Sequence, residues 1–326
     1  MNGSRKLLLA LVLINVTVFA MNDDDDNPIC LDLSDSRAMR VSEPDMAISL
    51  ALDPTGKLLA TGSDDNKARI FDSATGKCLH ELDHNDWVRS VAFDSTGKLF
   101  ATGCDDDKAR IFDLATGECL YELDHEGFVY SVAFDPIGKQ LGTGANKGAR
   151  IFDVTNGKCL HEFNPEELTN SVAFNRTGKL FATGCDNSRK ARIFDVATEQ
   201  CLHEFDHKWF VNTVAFDPTG KLLATGCRHS RKARMFDVAT GECLHKFDHG
   251  HEVNSVAFDA TGKLLATGSE DNKARIFDIE SKECLYELDH GNRVDSVSFD
   301  PTKKLLATLS GGTARVWKLL ALRAVR

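Results

Sequence analysis

The chain has 326 residues, of which 42% are hydrophobic and 27% are charged. These fractions are close to those of folded globular proteins, roughly 45–50% apolar and about 25% charged, and they exclude a wholly disordered chain. The formal net charge of −10 disfavours a broad nucleic-acid or anionic-lipid surface, because such surfaces need clustered cations. We therefore expect no nucleic-acid partner.

The first element of the chain has the pattern of a targeting segment. Arg5 and Lys6 precede an apolar run, and Val18 and Ala20 stand at positions suited to a cleavage site. The run is shorter than the roughly 17–25 residues of a spanning helix. We predict a signal peptide over 1–21, an acidic spacer over 22–28, and no stable membrane anchor after cleavage. An uncleaved leader, or a misassigned start codon before a cytosolic protein, is the alternative.

From residue 46 onward one unit recurs along the chain. Its clearest segment is Ala68-Arg69-Ile70-Phe71-Asp72, and the further copies end at Asp113, Asp153, Asp195, Asp237, Asp278 and Lys318. A period near 40 residues with only strand and turn signals indicates a β-propeller, in which each copy supplies one four-stranded blade. We number the blades 1 to 7 by these copies. In blade 2 the predicted strands are 88–94, 99–103, 109–113 and 119–123.

The two ends of the repeat region complement each other. The last copy ends at its third strand, over 313–319, whereas an orphan fourth strand stands at 29–33. We predict that residues 29–33 complete blade 7, so that the propeller covers 29–319 and a short tail follows over 320–326. The predicted fold is all-β, a seven-bladed β-propeller of four-stranded antiparallel blades, closed by pairing the N-terminal strand with the C-terminal blade.

These repeats resemble the WD-repeat family of seven-bladed propellers over about residues 29–319. The resemblance is carried by the period and by residues 59–72, although Phe-Asp stands six times where the family has Trp-Asp, and Trp317-Lys318 stands once. The family's hydrogen-bonded set of His, Ser/Thr, Asp and Trp would map in blade 2 onto His84, Thr102, Asp106 and Phe112. Phenylalanine has no N–H donor, so the resemblance implies a propeller with a weakened polar network.

Residues that recur in every blade are scaffold candidates, whereas a site for one partner has to break the repeat. The cysteines that begin the fourth strands are predicted to be free thiols, because neighbouring blades hold them too far apart for a disulfide. The arginine of each third strand is predicted to pair with acidic neighbours from blade to blade. We find no nucleophile with an attendant base, no phosphate loop and no closed set of metal ligands, and we expect no catalytic residues, metal site or cofactor.

Two sets of positions break the repeat. The connections that enter the first strands of blades 2, 3 and 5 carry large or irregular side chains, namely Trp87, Arg89, Phe128, Tyr130, Trp209, Phe210 and Asn212. The turns between second and third strands are acidic in blades 1, 2 and 6. In blades 4 and 5 they are basic, with Arg189, Lys190, Arg228, Arg231 and Lys232. The WD-repeat resemblance implies that both sets lie on the face around the central channel where partners dock.

The leading hypothesis is a non-enzymatic scaffold that binds a protein or peptide on this face, specifically an acidic segment with apolar anchors. The protein would be secreted or periplasmic if the leader is functional. Inward packing of the aromatic side chains over the channel, and ordinary solvated loops, are the alternatives for the site. A secreted propeller enzyme acting at the central channel and a cytosolic WD-repeat scaffold subunit are the rival functions.

Overall fold

The computed structural model describes residues 29–31, 41–42, 47–164, 166–300 and 305–321, and all the regular elements in these ranges are β-strands. Two short strands come first, β1 (Ile29–Leu31) and β2 (Val41–Ser42). Among the described residues none forms a helix long and apolar enough to cross a bilayer.

Six antiparallel sheets of four consecutive strands follow as blades 1 to 6. Blades 1 and 2 comprise β3 (Ala47–Leu52), β4 (Leu58–Ser63), β5 (Lys67–Asp72), β6 (Cys78–Asp83), β7 (Val88–Phe93), β8 (Leu99–Cys104), β9 (Lys108–Asp113) and β10 (Cys119–Asp124). Blades 3 and 4 comprise β11 (Val129–Phe134), β12 (Gln140–Ala145), β13 (Gly148–Asp153), β14 (Cys159–Phe163), β15 (Thr169–Phe174), β16 (Leu180–Cys185), β17 (Lys190–Asp195) and β18 (Cys201–Asp206). Blades 5 and 6 comprise β19 (Val211–Phe216), β20 (Leu222–Cys227), β21 (Lys232–Asp237), β22 (Cys243–Asp248), β23 (Val253–Phe258), β24 (Leu264–Ser269), β25 (Lys273–Asp278) and β26 (Cys284–Asp289). The predicted strands of blade 2 agree with these bounds to within one residue, and the predicted fold class is confirmed.

The seventh sheet is built from strands at both ends of the described chain. It contains β27 (Val294–Phe299), β28 (Leu305–Ser310) and β29 (Thr313–Ala321), together with β1 and β2. β1 pairs antiparallel with β29, with Ile29 opposite Ala321 and Leu31 opposite Leu319. β29 therefore extends two residues beyond 319, where we predicted the propeller to end. The predicted leader, the acidic spacer and residues 322–326 of the predicted tail lie outside the described residues.

An aspartate, or in blade 4 Asn175, follows each first strand and organises the turn. Asp94 Oδ1 accepts hydrogen bonds from the backbone N–H groups of Lys98 and Leu99, both at 2.8 Å, and Oδ2 accepts from that of Thr96 at 3.1 Å. Gly97 completes the turn with a φ of 67°, a conformation that glycine adopts without steric cost. The Asp-x-x-Gly spacing of the sequence is therefore explained by local turn formation.

Neighbouring blades approach closely along their first and second strands. A Cβ atom added to Gly103 would lie 2.9 Å from both the carbonyl oxygen and Cγ1 of Val129 in the next blade, so this contact requires glycine. Ser90 Oγ accepts a hydrogen bond at 3.1 Å from the backbone N–H of Val132, again in the next blade. Each blade thus satisfies polar groups and buries apolar surface of its neighbour, as expected of a repeat architecture.

The buried core consists of clusters that span pairs of blades. One cluster joins Ile70 of blade 1 to Val91 and Phe100 of blade 2. Another joins Leu50 of blade 1 to Leu309 of blade 7. Because the contact between the last and first blades has the same composition as the others, the hydrophobic packing is continuous around the ring.

One polar network between blades is complete in blade 7. His290 Nδ1 lies 2.8 Å from the carbonyl oxygen of Leu288, and Nε2 lies 2.8 Å from Thr308 Oγ1. Trp317 Nε1 donates to the same hydroxyl at 2.9 Å. A carbonyl oxygen only accepts, so Nδ1 carries the hydrogen and Nε2 accepts from the threonine hydroxyl. The hydroxyl therefore links the indole to the imidazole.

Three of the Phe-Asp blades, blades 2, 3 and 6, keep this network without its indole donor. In blade 2, His84 bonds the carbonyl oxygen of Leu82 at 3.0 Å and Thr102 Oγ1 at 2.8 Å. The Phe112 ring packs against the His84 ring with centroids 5.8 Å apart. Burial lowers the pKa of His84 to about 4, which keeps the imidazole neutral at physiological pH. Phenylalanine thus replaces a hydrogen bond by a ring contact, as the missing N–H predicts.

The third-strand arginines pair mainly within their own blade, so the prediction of pairing from blade to blade is wrong. Arg110 Nη2 lies 2.7 Å from Asp106 Oδ2, and Arg110 Nε lies 3.0 Å from Glu122 Oε1. The register explains this result, because Glu122 stands directly opposite Arg110 on the adjacent strand. A cross-strand neighbour on the same face of a sheet is closer than any side chain of another blade.

The recurrent cysteines at the starts of the fourth strands lie at the exposed rim, and five of them are free thiols, namely Cys119, Cys159, Cys201, Cys243 and Cys284. Cys104, Cys185 and Cys227 end second strands and are buried. Burial raises the pKa of Cys104 and of Cys227 to about 12, so these two remain protonated and serve as small core side chains.

Candidate functional site

Two sets of loops meet on one face of the propeller, which we call the loop face. The connections that enter the first strands accept backbone hydrogen bonds from the turns between second and third strands. Trp87 O accepts from Asp105 N–H at 3.0 Å, and Phe210 O accepts from Arg228 N–H at 2.9 Å. The irregular residues of both sets therefore share one face.

A β-bulge at the start of each first strand places one side chain outside the regular pairing. In blade 2 the register shifts between Val88 and Ser90, which leaves Arg89 without a partner in the ladder. The same shift occurs around Tyr130 in blade 3 and around Asn212 in blade 5. Bulges re-aim side chains and are frequent near functional sites. This local feature explains why these positions vary while the flanking Val and Ser recur.

The turns of blades 4 and 5 are one residue longer than those of blades 1, 2 and 6. Four residues separate Cys185 from Lys190 and Cys227 from Lys232, whereas three separate Cys104 from Lys108. The extra residue accompanies the change from acidic to basic composition. Both departures from the repeat therefore fall at the same two neighbouring turns.

These two turns also differ in the type of residue that adopts a left-handed backbone conformation. The residue before the recurrent lysine has a positive φ in blades 1, 2 and 6, where it is Asn66 (67°), Asp107 (63°) or Asn272 (66°). In blades 4 and 5 that residue is Arg189 (57°) or Arg231 (51°). Asn and Asp tolerate this conformation, but for other side chains it costs on the order of 1 kcal/mol. Arginine at this position is unfavourable for the turn, so turn formation does not explain its presence.

An exposed tryptophan lies between the two basic turns. Trp209 is 40% exposed, and the guanidinium carbon of Arg189 lies 5.8 Å from the centre of its ring. The His229 ring approaches from the other side, edge to face, with centroids 5.4 Å apart. We call the group formed by Trp209, Arg189, Arg228, His229 and Arg231 the basic sector.

The basic sector carries more positive than negative charge. Glu252, which is buried, bonds His229 Nδ1 and lies 3.4 Å from Arg228 Nε. Within the ranges that the structure describes, Arg189 and Arg231 make no ion pair, and both are exposed. The sector therefore presents unneutralised guanidinium groups beside an aromatic ring, which suits an anionic group adjoining an apolar one.

Lys190 and Lys232, which we predicted as partner-binding residues, make ion pairs within their own blades. Lys190 pairs with Glu204 and Asp206, and Lys232 pairs with Asp248, all on the outermost strands of their own blades. Lysine also occupies this position in blades 1, 2 and 6, so it is a repeat residue. Its charge is used within the blade, and the criterion of irregularity excludes it from the site.

Four other predicted residues form a separate group on blades 2 and 3, which we call the aromatic sector. Arg89 lies 4.6 Å above the Trp87 ring, and its Nη2 is 2.6 Å from Asp105 Oδ2. The Phe128 and Tyr130 rings meet edge to face at 6.4 Å. Trp87 and Phe128 are each about 40% exposed, so they do not pack fully inward over the channel. Because Asp105 neutralises Arg89, this sector is apolar and close to electroneutral.

Phe210 and Asn212 are less available than predicted. Phe210 is half-buried beside Trp209. Asn212 Nδ2 donates to the carbonyl oxygen of Val253 in blade 6 at 3.4 Å, and Asn170 and Asn254 make the corresponding bond in their blades. Asn212 therefore joins two blades.

Sequence reasoning missed His229 and Glu252 as members of the basic sector, although His229 is one of few histidines outside the repeat.

The opposite end of the channel has a different lining. A cavity of about 280 Å³ is bounded there by Phe174, Phe216, Phe258 and Phe299, with Arg176 at its edge. Among the described residues no group of three or more His, Cys, Asp or Glu side chains is arranged to hold a metal ion. The irregular polar residues of the chain thus gather on the loop face.

The family model "WD domain, G-beta repeat" matches residues 76–113, 241–278 and 282–318. The chain belongs to the WD-repeat family, whose propellers are protein-interaction scaffolds, and it has seven blades. Two further models match, "Eukaryotic translation initiation factor eIF2A" over 110–232 and "Anaphase-promoting complex subunit 4 WD40 domain" over 18–88.

Two curated relatives are similar to a short stretch of the chain. They are the ribosome biogenesis protein BOP1 homologs of Drosophila virilis and Drosophila mojavensis, each 40% identical over 45 residues. The matched stretch is 14% of this chain and 6% of either relative. The chain thus spans a small part of the length of these relatives, and the similarity has the length of one repeat.

Proposed function

We propose that this propeller is a non-enzymatic scaffold whose basic sector binds an acidic segment of a protein or peptide with apolar anchors. The observation that supports this proposal most directly is the pair of lengthened turns that hold Arg189 and Arg231 in a backbone conformation suited to Asn. Trp209 lies between these turns and offers an apolar contact beside the cations.

Electrostatic complementarity favours an acidic partner. The basic sector stands on a chain with a net charge of −10, so its local positive charge is a departure from the rest of the surface. Long-range repulsion disfavours most acidic proteins, whereas a short acidic segment with an apolar residue can gain both ion pairs and contact with Trp209. Exposed tryptophan and arginine are the side chains that most often dominate binding energy at interfaces.

The first prediction concerns binding of a defined probe, a fluorescein-labelled glutamate-rich peptide that bears one leucine and one phenylalanine. The triple variant Arg189→Glu, Arg228→Glu, Arg231→Glu should bind it at least about tenfold more weakly than the wild type, because opposite charges become like charges. Trp209→Ala should also weaken binding by about tenfold. Fluorescence anisotropy measures both affinities.

A matched control reverses three exposed lysines in turns at the other end of the blades, Lys98→Glu, Lys139→Glu and Lys221→Glu. This variant has the same net charge as the basic-sector variant and should bind the peptide like the wild type. A peptide with glutamine in place of glutamate should bind weakly to all the proteins. Equal loss in both triple variants, or unchanged binding in the basic-sector variant, contradicts the proposed site.

For the cellular location we propose the cytoplasm, which is the alternative to export given above. Five exposed free thiols support it, because such thiols persist in a reducing compartment and are liable to oxidation outside it. The names of the matched relatives, which refer to ribosome biogenesis, also denote an intracellular process. Mass spectrometry of the N-terminal peptide of the mature chain tests this assignment. A chain that starts near residue 21 would instead support the predicted signal peptide and export.

A further inference from the structure

The charges of the loop face are segregated across the ring. The basic sector lies on blades 4 and 5, whereas acidic side chains that are exposed or half-buried occupy the turns of blades 1 and 2. We call Asp64 and Asp107 the acidic sector. In a ring of seven blades the junction of blades 4 and 5 lies opposite blade 1, so the two sectors lie on opposite sides of the central channel, while Glu270 of blade 6 lies beside the basic sector.

The acidic sector has charge available for a partner. Asp107 is exposed, and Asp64 is half-buried. Over the described residues neither of them makes an ion pair. Asp65 and Asp106, by contrast, are bound to the third-strand arginine of their own blade, and Asp105 is bound to Arg89. The turns of blades 1 and 2 therefore each keep one carboxylate that the scaffold does not use.

A face with opposite charges on its two halves is complementary to a second copy of itself. A two-fold axis that lies in the plane of the face, perpendicular to the line joining the two sectors, places each basic sector over the acidic sector of the other copy. Both contacts form at once, because a two-fold interface uses every contact twice. The exposed rings of Trp87, Phe128 and Trp209 lie on the same face and supply apolar area to the interface.

We propose that the chain forms a two-fold dimer through the loop face, with the basic sector of each copy against the acidic sector of the other. This inference rests on the proposed function, in that the basic sector is a docking site for acidic groups, and it names a second copy of this chain as an occupant. Dimerisation covers the basic sector. An acidic partner therefore competes with the dimer for the same arginines.

The test is a charge swap in the full chain. The basic-reversed variant is Arg189→Glu, Arg228→Glu, Arg231→Glu, and the acidic-reversed variant is Asp64→Lys, Asp107→Lys. Sedimentation velocity should show a concentration-dependent dimer for the wild type that weakens with salt. Each variant alone should dimerise at least about tenfold more weakly, because like charges then meet at both contacts. An equimolar mixture of the two variants should form the dimer again, because both contacts are once more between opposite charges.

The result that overturns the inference is a wild type that stays monomeric at every concentration, or a mixture that stays monomeric while both variants keep the far-UV spectrum and melting temperature of the wild type. Binding of the glutamate-rich peptide separates this failure from failure of the proposed function. The acidic-reversed variant retains the basic sector and should bind the peptide even though it does not dimerise. A monomeric wild type that binds the peptide overturns the dimer alone, whereas a charge-swapped dimer without peptide binding overturns the proposed function alone.

Discussion

Blades 5 and 6 have nearly the same backbone and very different polar contacts. In blade 6, Arg275 Nη1 lies 2.7 Å from Asp271 Oδ2, and Glu287 stands opposite Arg275 on the next strand. In blade 5, the corresponding Arg234 stands opposite Lys246, and its turn contains no acid. Arg234 Nη1 donates to the carbonyl oxygen of Asp206 at 3.1 Å, while its Nε is buried without a partner.

The histidine network is likewise intact in blade 6 and incomplete in blade 5. His249 Nε2 bonds Thr267 Oγ1 at 2.8 Å in blade 6. In blade 5 the His207 Nδ1 atom lies 2.9 Å from Cys227 Sγ, and the Thr225 hydroxyl is buried without a partner. Blade 5 nevertheless keeps four strands of the same length and the same pairing register. Packing between blades is therefore sufficient to keep the fold of blade 5 without this ionic network.

Acidification should change the free energy of unfolding more than the substitutions described below. It should act through the histidines of both blades alike. Burial lowers the pKa of His249 to about 4 and that of His207 to about 3, from an ordinary value of 6.5. As the pH falls below 6.5 the unfolded chain takes up protons that the folded chain does not, so the free energy of unfolding decreases until the pH reaches the folded pKa. Each histidine contributes on the order of 3 kcal/mol between pH 6.5 and 4.

Urea unfolding at a series of pH values measures this dependence. The double variant His249→Gln, His207→Gln should be less stable at pH 7 and should show a shallower decline in the free energy of unfolding between pH 6.5 and 4. A decline with the same slope in the double variant and in the wild type would contradict the assignment of the protons to these histidines.

Removal of the third-strand arginine should distinguish the two blades. Arg275→Met leaves Asp271 largely buried and without its cation, and we expect a loss of about 2 to 3 kcal/mol in the free energy of unfolding. Arg234→Met removes a cation that faces Lys246 and an unsatisfied buried N–H, so its effect should lie within about 1 kcal/mol of zero. Urea unfolding at pH 7 checks both values. Equal destabilisation by the two substitutions would show that blade 5 uses its arginine as blade 6 does.

A glutamate placed opposite Arg234, where blade 5 lacks an acidic side chain, should change the free energy of unfolding least. Lys246→Glu places a carboxylate opposite Arg234, as in blade 6, and should stabilise the protein by about 0.5 to 1 kcal/mol. Its matched control is Glu287→Lys in blade 6, which should destabilise by at least as much. Thermal unfolding of both variants measures the difference. A destabilising Lys246→Glu would indicate that Lys246 has a partner-binding role that depends on blade 5 remaining basic.

Most of the fold could be predicted because its determinants are local and repeat. The Asp-x-x-Gly turns and the alternating strands specify individual hairpins, and their repetition at a fixed period makes the architecture overdetermined. The partners of the third-strand arginines were assigned wrongly because the choice between a neighbour across the sheet and one in the next blade depends on distances in space. The ion pairs of Lys190 and Lys232 within their own blades could not be predicted for the same reason.

The amino-acid pattern established the number of blades, the strand boundaries and the positions at which the repeat is broken, because each of these depends on residues close together in the chain. The tertiary structure decides which of the irregular residues contact one another. Trp209 touches one turn from blade 4 and another from blade 5, and Glu252 reaches back to His229 from the entry to blade 6. These contacts arise from the packing of neighbouring blades, which brings together loops some 20 residues apart and gives the loop face its separate basic and aromatic sectors.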